Sequence, residues 1–108
     1  MNKSLAVIRL TGELEIGRRH EIAAALVISG DESGVLLDFS DVTYADSSTL
    51  SELLRFGDDA NRCGLPVAIV IAARQFARLV EFAGLAHAFH IYGNRADALT
   101  YLSQAGQT

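Results

Sequence analysis

The stretch Val35-Leu36-Leu37-Asp38-Phe39-Ser40-Asp41-Val42-Thr43-Tyr44-Ala45-Asp46-Ser47-Ser48-Thr49-Leu50 sets the architecture of this 108-residue chain. Val35 to Phe39 is apolar apart from Asp38 and reads as a buried strand. Asp41 to Ala45 reads as a loop, and Leu50 opens a strongly apolar helix. Between loop and helix stand Asp46, Ser47, Ser48 and Thr49, each a residue type that caps helices. A helix start needs a single side-chain oxygen for its N2 or N3 amide. The surplus places hydroxyls at a helix N-terminus, where free amides and the positive end of the helix dipole favour a phosphate. The sequence therefore predicts a presented polar site.

Outward from this stretch the periodicity alternates. Leu5 to Leu10 reads as a central strand, and Thr11 to Glu15 either extends it or turns away. From about Gly17 the spacing is helical, with Ile22, Ala23, Leu26 and Val27 on one stripe, and Gly30 and Gly34 close the loop after it. In the second helix Leu50, Leu53, Leu54, Gly57 and Asn61 recur at helical spacing, Phe56, Ala60 and Cys63 widen the face, and Gly64 stops it. Val67 to Ile71 is apolar throughout, as in a parallel strand covered on both faces. Phe76, Leu79, Val80 and Ala83 mark a third helix from about Arg74. A short strand follows at Phe89 to Tyr92, and Asn94 with Asp97 opens a last helix carrying Ala98, Leu99 and Leu102. Strand and helix thus alternate, which predicts an α/β domain over residues 1–108. Its sheet is mixed and mostly parallel, of four or five strands, flanked by about four helices.

Composition narrows the function. Half the residues are apolar and the net charge is −4, so the chain folds and is mildly acidic. No apolar run reaches the roughly 20 residues that span a bilayer, and the N-terminus lacks signal-peptide architecture, so a cytoplasmic location is expected. Cys63 is alone, which rules out an internal disulfide and suggests a filler at a helix end. From Asp31 to Asp59 the acids Asp31, Glu32, Asp38, Asp41, Asp46, Glu52, Asp58 and Asp59 stand against Arg55 alone. That block argues against nucleic acid as a partner, since phosphates need cations. It suggests either a basic protein partner or a solvated acidic face.

Catalysis finds little support. A serine nucleophile needs a base within reach, yet His20, His87 and His90 lie on other elements, and Asp46-Ser47-Ser48 lacks the glycine-flanked elbow of the serine hydrolases. His87 and His90 have no third ligand for a metal. No lysine follows a glycine cluster as a phosphate-binding loop requires. No cofactor is implied.

Several segments resemble the STAS domain, and within it the bacterial anti-sigma factor antagonists of the sporulation and stress-response type. They are Ile8-Arg9-Leu10-Thr11-Gly12-Glu13-Leu14, then Val35 to Val42 leading into Asp46-Ser47-Ser48-Thr49-Leu50, then Gly84-Leu85, His90-Ile91-Tyr92 and Ala98-Leu99. The resemblance implies that Ser48, matching the second serine of the family's Asp-Ser-Ser-Gly-Leu motif, is phosphorylated by a serine kinase that is also the anti-sigma factor. Unphosphorylated antagonist captures that factor and frees sigma, whereas the phosphorylated form cannot. It implies a binding protein, not an enzyme. Thr49 stands where the motif has glycine, Glu52 and Arg55 stand where the family often has small residues, and the family's extra N-terminal strand is short or missing.

Partner contact is expected through Glu15, which holds the family's acidic position near the acceptor, through Tyr44, Asp46, Ser47, Ser48 and Thr49, and through an exposed side of the second helix at Glu52 and Arg55. The helix-start amides are expected to hold the phosphate. Two alternatives stay open: an accessory STAS subunit of an ABC-type lipid transporter, and a module sensing a small anion at the start of the second helix. Oligomeric state is open, a homodimer included.

Overall fold

The structure is a computed structural model that describes residues 3–85 and 89–105. His87, one of the histidines weighed above, lies outside the described residues.

The elements run β1 (Ser4–Leu14), a 3-10 turn (Ile16–Arg18), α1 (Arg19–Ala25), β2 (Glu32–Ala45), α2 (Ser47–Arg62), β3 (Val67–Ile71), α3 (Arg74–Phe82), β4 (His90–Tyr92) and α4 (Arg95–Ala105). The strands form one sheet in the order β1-β2-β3-β4, and each of its pairings is parallel. Consecutive order combined with right-handed crossovers sends every connecting helix to the same face. One core cluster accordingly joins Ile22 of α1, Leu53, Phe56 and Ala60 of α2, and Phe76 and Val80 of α3 to Val35, Leu37, Phe39, Val67, Ile69 and Ile71. The alternate strand residues Leu36, Ala68 and Val70 face the other way, where Ala98 and Leu102 of α4 cover them. Strand β3, buried on both faces, is the one the sequence showed as a continuous apolar run.

Several local expectations change. Leu5 to Leu10, expected as a central strand, lies in β1 at one end of the sheet order. Asp41 to Ala45 is strand, not loop: β1 runs on to Leu14, and Thr11, Gly12, Glu13 and Leu14 pair with Asp41, Val42, Tyr44 and Ala45. Helix α1 stops at Ala25, so Val27 leaves the buried stripe and is exposed. The buried face of α2 is Thr49, Glu52, Leu53, Phe56, Gly57 and Ala60, which leaves Leu54 exposed. Cys63, expected as filler, is exposed at the end of α2. The start of α4 follows its sequence signal, since Asp97 N donates to Asn94 Oδ1 at 2.9 Å and Asn94 Nδ2 returns a bond to Asp97 Oδ2 at 3.0 Å.

Candidate functional site

At the C-terminal end of β2 the chain passes into α2 through Asp46, an extended residue that caps the helix with its side chain. Asp46 Oδ1 accepts from the amides of Ser48 at 3.0 Å and Thr49 at 3.2 Å, and from the Ser48 hydroxyl at 2.6 Å. The other carboxylate oxygen accepts from the amide of Ile16 at 3.0 Å, in the turn after β1. A single carboxylate thus ties the head of α2 to the end of β1. The donated Ser48 hydroxyl, followed by the Thr49, Ile16 and Ser48 amides, holds the Asp46 carboxyl below its ordinary range against a smaller opposing effect of burial.

Neighbouring bonds fix the same corner. Asp46 N donates to the Leu14 carbonyl at 3.1 Å, and the Thr49 hydroxyl donates to that same carbonyl at 3.0 Å. Across the sheet, Gln75 of α3 accepts from Ala45 N at 3.1 Å and donates to Ala45 O at 2.9 Å. The Gln75 side chain in effect continues the ladder where β3 has ended, so buried Ala45 leaves neither main-chain group unpaired.

The expected contact residues separate by exposure. Glu15, Tyr44, Ser47 and Arg55 are exposed, and Asp46 and Ser48 are half-buried. Thr49 is 0% exposed and Glu52 is 6% exposed, so neither offers a side chain to a partner. The hydroxyl of Thr49 is spent on Leu14. Glu52 lies under two arginines, Arg19 at 3.4 Å and Arg55 in close contact. The expectation that helix-start amides await a phosphate also changes, because Asp46 already occupies those of Ser48 and Thr49.

The acidic block is likewise not a bare acidic face. Arginines distant in sequence enter it, with Arg9 on Asp41, Arg19 on Glu52 and Arg95 on Asp38, while Arg62 meets Asp59 one turn away on α2. Glu32 instead holds the Ser29–Gly30 turn through the amides of both residues and the Ser29 hydroxyl. Led by the Ser29 amide, those bonds lower its carboxyl to about 2.

Sequence reading missed Ile16 and Gln75. Ile16 is 69% exposed beside the Asp46 carboxylate, and its one signal was an apolar residue stranded between Glu15 and Gly17. Gln75 had no signal, because a single glutamine at a helix start is common. Among the described residues no group of His, Cys, Asp and Glu side chains is arranged to hold a metal, and no helix is long and apolar enough to cross a membrane.

Among curated proteins no significant sequence match was found. Solved structures superpose closely. An anti-sigma factor antagonist from Mycobacterium paratuberculosis matches with a TM-score of 0.82 at 20% identity, over 95% of this chain and 89% of that one. A sulfate transporter family protein from Wolinella succinogenes gives 0.79 at 15%, over 96% and 88%. The anti-sigma factor antagonist SpoIIAA in its unphosphorylated form gives 0.70 at 15%, over 96% and 93%. At these identities the likeness is one of fold. The STAS domain family model, however, matches residues 2–98, nearly the whole sheet-and-helix framework just described, and the chain belongs to the STAS domain family.

Proposed function

We propose that this chain is an anti-sigma factor antagonist that binds a combined anti-sigma factor and serine kinase and is released by phosphorylation of Ser48. The observation that carries this reading is the Ser48 hydroxyl at the head of α2, half-exposed and held at 2.6 Å by an ionised Asp46. A carboxylate that accepts the hydroxyl proton turns an oxygen lone pair outward. Phosphoryl transfer then forms the Oγ–phosphorus bond, breaks the bond from the γ-phosphorus to ADP, and releases the hydroxyl proton.

The consequence is electrostatic. A phosphate adds about −1.5 to −2 charges, and on Ser48 it sits beside Asp46 while removing the hydroxyl that Asp46 accepts. With the adjacent amides occupied, the phosphate turns outward to the contact surface. A partner covering that surface must strip water from a dianion, at a cost of several kcal/mol. Exposed Glu15, Ile16, Tyr44, Ser47 and Arg55 surround the serine as the proposed contact.

The test is calorimetric titration of the protein with its cognate anti-sigma factor kinase. Ile16→Asp and Ser47→Tyr should each weaken binding at least about tenfold, and Phe82→Asp, at the far end of α3, should not. Unchanged affinity in both contact variants would move the interface elsewhere. The Wolinella neighbour favours a second reading, a transporter-associated STAS unit docked through the same side of α2. Binding to a transporter component that is indifferent to Ser48→Asp would select it. The anion-sensing alternative loses support, since Asp46 already fills the amides that would recognise the anion.

A further inference from the structure

Strand β1 stands at one end of the sheet order, with β2 as its strand neighbour among the described residues. An edge strand presents main-chain donors and acceptors that another strand can pair with. Over the C-terminal half of β1 this access is closed. Arg18 Nη1 donates to the carbonyls of Thr11 at 2.7 Å and Glu13 at 2.9 Å, crossing Gly12, whose φ is +79°. Glu21 grips the rest of the guanidinium, accepting from Nε at 3.0 Å and Nη2 at 2.7 Å.

The N-terminal half has no such guard. Among the described residues, no side chain caps the main chain of Leu5 to Arg9. The same half exposes Leu5 at 37% and Val7 at 45%, on the sheet face where α4 covers β2 and β3 instead. Ala6 and Ile8, on the opposite face, are only partly buried. Open main chain and uncovered apolar side chains thus coincide on one short segment.

We propose that the Leu5–Arg9 edge of β1 pairs antiparallel with the same segment of a second copy of this chain, about a two-fold axis through Val7. Directly opposed residues in an antiparallel pair share a face. This register sets Val7 against Val7, Ala6 against Ile8, and Leu5 against the aliphatic stem of Arg9, so both faces of the new pair are apolar. It ends before Thr11, where Arg18 blocks both copies. Moving the axis to Arg9 would oppose two arginines, which is unfavourable. A self-complementary segment of this kind specifies a copy of itself, since an isologous contact uses one patch twice. So short a pairing falls below the roughly 1,200 Å² of a stable interface, and the dimer is therefore reversible and concentration-dependent. The segment lies upstream of Leu14, whose carbonyl contacts Thr49, so pairing leaves the Ser48 site free. The proposal stands or falls independently of the sigma-pathway reading.

Sedimentation equilibrium tests it. Wild type should show a monomer–dimer equilibrium, Val7→Lys and Val7→Glu should each be monomeric, and their equimolar mixture should recover the dimer, because only a residue that opposes itself can be rescued in this way. Wild-type hydrogen exchange offers a second reading without mutation, with amide protection over Leu5 to Arg9 rising with concentration. A wild type that stays monomeric at millimolar concentration, a dimer indifferent to both substitutions, or protection that does not change with concentration would overturn the proposal.

Discussion

The Asp46 carboxylate accepts the Ser48 hydroxyl at 2.6 Å while its other oxygen accepts the Ile16 amide, so Ser48 belongs to a cap that also fastens β1 to α2. The capping role rests on Asp46 and the hydroxyl is secondary. Asp46→Ala should destabilise the protein by about 0.5–2 kcal/mol, the usual cost of losing a cap, with Ser48→Ala nearer the bottom of that range. Urea denaturation compares them. Equal losses in the two variants would contradict this division of roles.

Gln75 should matter for stability although it lies outside the apolar core. Gln75→Ala leaves the Ala45 N–H and C=O without partners in a buried position, and each orphaned group costs about 1–3 kcal/mol. A loss on the order of 2 kcal/mol is expected from the denaturation midpoint. A loss below about 0.5 kcal/mol would mean that water replaces the amide.

Thr49 explains itself through Leu14. Thr49→Gly, which restores the residue of the family motif, should cost about 0.3 kcal/mol in helix propensity and a further ~1 kcal/mol for the lost hydrogen bond. Thr49→Ser should recover most of the second contribution. If Thr49→Gly and Thr49→Ser prove equally stable, the hydroxyl has no such role.

The depressed Asp46 carboxyl predicts a pH dependence of definite sign. Its folded pKa lies below the unfolded value of about 3.9, so its contribution is complete above that value and is lost as pH falls through the folded pKa. Wild type should therefore lose its stability advantage over Asp46→Asn below about pH 4. A carboxyl NMR titration of Ser48→Ala should find Asp46 moved back up towards its ordinary range, because the Ser48 hydroxyl is the main cause of the depression. An unmoved titration would remove Ser48 from that role.

Much of the fold was legible where a segment's environment is simple. Val67 to Ile71 is buried on every side and reads as an unbroken apolar run, and Asn94 and Asp97 cap α4 with their own side chains. Legibility failed where distant residues decide. Asp41 to Ala45 reads as a loop leading into the helix, and it becomes strand because β1 extends alongside it. Glu52 looks like a solvated helix residue until Arg19, from another helix, covers it. The site itself was readable as a cluster of hydroxyls on a helix start. That Asp46 takes the amides, that Thr49 is buried and that Ile16 stands beside the cap depend on where β1 ends, which no local pattern encodes.

The measurement closest to the proposed switch is site-resolved mass spectrometry after incubation with ATP and the cognate kinase, followed by calorimetry of the purified phosphoprotein against that partner. A single phosphate on Ser48 and an affinity at least about a hundredfold weaker than that of the unmodified protein is the predicted result. Phosphate on Ser47, no phosphate from a kinase active on its own control substrate, or a Ser48 phosphoprotein that still binds at full affinity would contradict it.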